Sequence, residues 1–101
     1  MTTISKNGVV IRLTEERWKH ICLMHPSLTS KQKSVLNTVK SPDSILKGKV
    51  GELLAVVGTS KRTYLVVVYK ETVDDGFIIT AFETTDTTWL FKKEIIWSKH
   101  S

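Results

Sequence analysis

The chain has 101 residues, 41% hydrophobic and 25% charged, with a net charge of +5. That length suits one domain, residues 1–101, around one core, and no apolar run reaches the roughly 18 residues of a membrane span. Met1–Lys6 lacks the apolar stretch of a secretory signal, and the one cysteine, Cys22, cannot form an internal disulfide, so a reducing cytoplasm is the expected setting.

Gly8–Leu13 reads as a short strand with Val9, Ile11 and Leu13 on one face. Thr14 then suits a helix N-cap, and Glu15 and Glu16 suit the positive end of the helix dipole. Trp18, Ile21 and Cys22 sit at i, i+3 and i+4, and His25 continues that inward face. Pro26 drives its preceding residue out of the α region, so the helix ends at Met24 or His25. His20 lies on the far side, near Arg17. A second helix opens at Ser30, with Val35, Leu36 and Val39 on one face, and stops at Ser41-Pro42.

From Asp43 the period switches to two. Ser44–Lys49, Glu52–Val57, Thr63–Lys70 and Gly76–Thr84 read as four strands, with turns at Val50-Gly51 and Gly58–Lys61. Asp74-Asp75-Gly76 reads as a type I′ hairpin turn. Residues 86–93 form a short turn or helix, and Glu94–Trp97 a last edge strand. The expected class is α+β: N-terminal helices packed on one face of a four- to five-stranded antiparallel sheet.

Charge is unevenly spread. Residues 1–50 hold nine Lys or Arg against three Asp or Glu, and residues 51–101 hold six against seven. A basic half points to an anionic partner, with nucleic acid the commonest candidate; a lysine-rich surface kept for solubility gives the same count.

Several chemistries lack their residues. His20 and His25 are five apart, about 140° around a helix, and cannot share a zinc as an i, i+4 pair would. No Cys-x-x-Cys, P-loop or dinucleotide glycine pattern occurs. Metal-independent RNA cleavage needs a group for the 2′ proton, a group for the leaving 5′ oxygen, and cations or hydroxyls for the phosphorane. His25 suits a proton-transfer role. Lys47, Lys49, Arg62, Tyr64, Tyr69, Thr80 and Thr84 offer the rest, and Arg17 adds charge beside His20. Each has a plainer reading: His25 as a hydrogen-bonded core histidine, Arg62 as solvated, the tyrosines as cross-strand packing or base-stacking platforms, Thr80 as a β-former. The three tryptophans read as core or edge cover.

The segment Arg17-Trp18-x-His20-Ile21-x-x-x-His25-Pro26, the basic hairpin, the Tyr64–Tyr69 strand and Gly76-Phe-Ile-Ile-Thr80-Ala-Phe82 together resemble the phage- and cyanobacteria-associated nucleases of the barnase–EndoU–colicin–RelE class. The resemblance spans residues 9–97. It implies a RelE/barnase-like fold with the active site on the open side of the sheet. It also implies a metal-independent endoribonuclease without cofactor, often a toxin held by a cognate antitoxin or immunity protein. Carried onto this chain, it implies His25 as the helix histidine, with His20 the second choice, and Arg62, Tyr64 and Thr80 from the strands, joined by Lys47 or Thr84. Where that class carries an acidic residue after His-Pro, this chain has Ser27. The last long strand has no histidine, and His100 falls in the C-terminal tail. The same basic face equally suits a non-catalytic RNA- or protein-binding module.

Overall fold

The computed structural model describes residues 1–60 and 62–99. Seven strands form one sheet: β1 (Thr2–Ile4), β2 (Val10–Arg12), β3 (Ser44–Lys47), β4 (Leu53–Ser60), β5 (Thr63–Glu71), β6 (Gly76–Thr84) and β7 (Ile95–Ser98). Their spatial order is β1-β2-β6-β5-β4-β3-β7. All neighbours are antiparallel except β2 and β6, which run parallel over Ile11↔Gly76 and Arg12↔Phe77. Three helices accompany them: α1 (Glu15–Met24), α2 (Gln32–Lys40) and the single turn α3 (Thr87–Leu90). A 3₁₀ turn, Pro26–Leu28, joins α1 to α2.

This corrects the expected fold class. The sheet has seven strands in a mixed half-barrel, not four or five antiparallel ones. The helices also do not share one face: α1 and α2 pack on one side, while Leu90 of α3 is buried in the cluster on the other. β1 escaped notice because three residues are too few to display a period. The parallel docking of β2 depends on Gly76, where a Cβ would stand 3.0 Å from the Lys70 carbonyl oxygen and 3.2 Å from that of Val10.

Local signals set the helices. The Thr14 hydroxyl accepts from Arg17 N–H at 3.1 Å, which satisfies one orphan donor of α1. At the other end His25 leaves the helical region, at φ −135° and ψ 76°, ahead of Pro26. Asp86 caps α3 by accepting from Trp89 N–H at 3.1 Å, which turns Leu90 inward and leaves Trp89 partly in solvent.

Strand register separates the two faces. Ile45, Ala55, Val67 and Ala81 are aligned across β3, β4, β5 and β6; the last three join Ile21, Val35 and Val39 of the helices in the main core. Leu46, Leu54 and Val68 align with Thr80 on the opposite face, over which Leu90, Val56, Val66 and Phe82 form a second cluster. We call this the open face.

The Asp74–Gly76 turn is not type I′, since neither Asp74, Asp75 nor Gly76 has positive φ. That connection closes instead through Thr72, whose N–H donates to the Asp75 carbonyl at 2.7 Å. The non-glycine positive φ among the described residues falls in the preceding hairpin, at Arg62, with φ 61°. β4 runs to Ser60, through most of the expected Gly58–Lys61 turn; Lys61 and His100 lie outside the described residues. Among the described residues no helix is long and apolar enough to cross a membrane.

Candidate nucleic-acid interface

Strands β2 and β6 pair only over Gly76 and Phe77, so the rest of β6 carries no strand partner on that side among the described residues. α1 packs there instead, and its C-cap residue, His25, is half-buried with its ring centroid 6.1 Å from that of Phe82. Phe82 lies 5.9 Å, centroid to centroid, from Trp89. Lys93 Nζ stands 5.3 Å from the Trp89 ring centre, within cation–π range. A strip of imidazole, phenyl and indole therefore runs along the open face, with a lysine over its outer end.

The junction behind His25 is fixed by Glu83, which follows Phe82 and points to the helix side. Ser27 Oγ donates to its Oε1 at 2.8 Å and Lys31 Nζ to its Oε2 at 2.9 Å. Those two hydrogen bonds, Lys31 first, hold the Glu83 carboxyl below the ordinary glutamate range. Ser27, which stands where the resembled class has an acid, thus finds its carboxylate on β6. Among the described residues no side chain hydrogen-bonds the His25 imidazole.

Thr80 reaches the open face through a β-bulge. Val68 pairs with Thr80 but Tyr69 pairs with Ile78, which leaves Ile79 as the extra residue. The bulge breaks strict alternation, so Ile78 and Ala81 both enter the helix-side core while Thr80 faces the other way. Thr80 is half-buried, and its hydroxyl has no partner among the described residues. Thr80 and Thr84 flank Phe82 on this face, each about 7 Å away along the strand. The Thr84 hydroxyl accepts from Asp86 N–H at 3.0 Å. Tyr64 pairs with Thr84 and meets the Phe91 ring edge-on at 5.4 Å. Arg62, at the hairpin tip beyond Tyr64, is exposed.

Two cavities meet at Trp89. One, of about 270 Å³, is lined by Phe82, Trp89, Val68, Leu54, Gly48, Lys49, Glu52 and Lys93. The other, of about 400 Å³, is lined by Trp89, Lys49, Asp86, Thr88, Lys92 and Lys93. Glu52 Oε1 accepts from Val50 N–H at 2.8 Å. That bond and one from its own backbone N–H, with Lys93 and Lys70 nearby, lower the pKa of its carboxyl, and Gly51 at φ +93° lets the loop turn back. A further groove of about 400 Å³ between β1 and α2 has Lys33 and Lys40 but neither an imidazole nor an aromatic ring.

The structure thus gathers His25, Tyr64, Thr80, Thr84 and Lys49 on or beside one face. It does not bring the others there. Tyr69 is wholly buried in the helix-side core and has no access to RNA, which corrects its expected role. Lys47 is aligned with Leu53, Tyr69 and Ile78, on the side facing away from Thr80. Arg17 and His20 are exposed on α1 and line a separate cavity with Thr14 and Glu16. Cys22 is a half-buried free thiol.

Phe82, Trp89, Lys93 and Glu52 were not expected from the sequence. Trp89 is 44% exposed and sits among lysines, not as cover. The adjacent pair Lys92-Lys93 was the available signal for it; nothing local marked Phe82 or Glu52. Among the described residues no group of three or more His, Cys, Asp or Glu side chains gathers as a metal-ligating set. No protein-family model, curated protein or solved structure matches the chain.

Proposed function

We propose that this protein is an endoribonuclease that cleaves single-stranded RNA without a metal ion, with His25 as its proton-transfer group. The observation that carries this reading is the position of His25. Its imidazole is fixed by the helix end at the edge of the open face, has no competing side-chain hydrogen bond among the described residues, and touches the Phe82–Trp89 strip. The resemblance of Arg17–Pro26 to a nuclease class supports the same reading.

In the reaction the ribose 2′ oxygen bonds to the adjacent phosphorus while the bond from phosphorus to the 5′ oxygen breaks. A 2′,3′-cyclic phosphate and a 5′ hydroxyl result. The 2′ proton must leave and the 5′ oxygen must gain one, and imidazole suits either transfer near neutral pH. Lys49, Lys93 and the Thr80 hydroxyl supply charge and a hydrogen bond for the phosphorane. Phe82 and Trp89 offer stacking surfaces to unpaired bases. A protein inhibitor is the second partner this reading carries, and growth arrest on induction is its readout.

Purified protein incubated with total RNA in EDTA should release fragments ending in 2′,3′-cyclic phosphate. His25→Ala should slow this by about 100-fold or more and leave RNA retention intact. Cleavage that needs a divalent ion, or that persists in the variant, overturns the proposal. One observation favours a binding module instead: a single imidazole reaches this face among the described residues. Retention of RNA by wild type with no cleavage decides for that module.

A further inference from the structure

The smaller cavity at Trp89 has a donor and acceptor pattern of its own. Glu52 contributes a carboxylate held by two backbone N–H groups, that of Val50 at 2.8 Å to Oε1 and its own. Lys49 and Lys93 line the same space as cationic donors, and Phe82 and Trp89 provide flat apolar contacts. At about 270 Å³ the cavity has room for one nucleobase. Its lining therefore asks for a planar group with donors on one edge and acceptors on another.

We infer that this cavity is a nucleobase subsite that selects guanine, with Glu52 as the residue that determines specificity. The inference rests on the proposed RNA-binding face and adds its base preference. Guanine is the RNA base that places two donors side by side, N1–H and the N2 amino group, which one carboxylate accepts together. Its O6 and N7 acceptors suit a lysine. Cytosine and adenine offer a carboxylate only an amino group, flanked by an acceptor nitrogen that repels the second oxygen. Uracil offers one N–H between two carbonyls, and both would face the carboxylate. Trp89, partly in solvent, lines both this cavity and a neighbouring space with Lys49, Lys92 and Lys93, where the adjoining phosphate would lie.

Binding is measured with fluorescent 2′-O-methyl tetranucleotides of sequence UUXU, in which X is G, A, C or U. The methyl group removes the attacking hydroxyl, so base selection is read apart from cleavage. Wild type should prefer G over U by about tenfold or more, the scale of one bidentate base contact. Glu52→Gln keeps an oxygen for Val50 N–H but turns a donor toward the base. It should reduce the G preference to below about threefold while U binding stays within about twofold. Circular dichroism of the variant checks the fold. Equal binding of all four oligonucleotides, no binding of any, or a G preference untouched by Glu52→Gln overturns the inference. Selective binding of G by a protein that cleaves no RNA upholds this subsite and removes the nuclease reading alone. Cleavage without base preference does the reverse.

Discussion

Glu83 ties Lys31 to β6 by an ion pair of 2.9 Å across the α1–α2 junction, and the same carboxylate receives the Ser27 hydroxyl. The residue next to Phe82 thus holds the middle of the turn that follows His25 and the N-cap of α2. Placement of the imidazole against the open face depends on this clamp from the opposite side of the strand.

The clamp has a pH signature. The Glu83 carboxyl has a lowered pKa in the folded protein, so the unfolded chain binds its proton more readily. Its contribution is full above the ordinary value near 4.5 and is lost as pH falls through the lowered folded value. Glu83→Gln should cost about 1 kcal/mol at pH 7. Urea unfolding of the two proteins should converge as pH falls below 4.5 and through the lowered folded value. A constant gap across this range would mean that the charge of Glu83 does not matter.

The open face should bind RNA in a salt-dependent way through Lys49 and Lys93. For single strands, each lost phosphate contact lowers the slope of log affinity against log salt by about 0.7. Lys49→Ala and Lys93→Ala should each show that reduction. Lys47→Ala, on the opposite side of the sheet, should not. Equal slopes for all three variants would dissociate binding from this face.

Tyr69 carries a buried hydroxyl with no hydrogen-bond partner among the described residues, and burial, aided by Glu71, pushes its phenol pKa up. Removing an unsatisfied polar group spares its desolvation penalty, so Tyr69→Phe should leave the protein as stable or raise stability by about 1–2 kcal/mol. RNA binding should not change. A clear loss in thermal stability would show that the hydroxyl has a partner.

Arg62 occupies the left-handed region, which costs a residue with a Cβ about 1 kcal/mol relative to glycine. Arg62→Gly should therefore raise stability by up to that amount in urea unfolding. The same variant tests the phosphate role expected of Arg62: an unchanged affinity for single-stranded RNA agrees with its place at the hairpin tip, apart from the residues gathered on the open face.

The local elements were legible because their causes are local. Thr14, Pro26 and the pre-proline Ser41 bound the two long helices through hydrogen bonds and sterics within a few residues. The four central strands follow from a period of two, and His25 at a helix end follows from Pro26. Charge segregation likewise exposed a basic half without any coordinates.

Other features arise only from pairing between distant segments. The parallel contact of β2 with Gly76 and the edge position of β1 involve partners that no short window contains. Tyr64 and Tyr69 belong to one strand and read alike, yet five residues of alternation put one on the open face and bury the other. Thr80 is the clearest case, because one extra residue, Ile79, decides which side of the sheet its hydroxyl meets. Hydrophobic pattern and steric punctuation are short-range, so the amino-acid order by itself settled the helices, the central strands and the helix-end histidine. Register and bulges are set by cross-strand hydrogen bonds and core packing, so only the tertiary structure decided which side chains stand together beside that histidine.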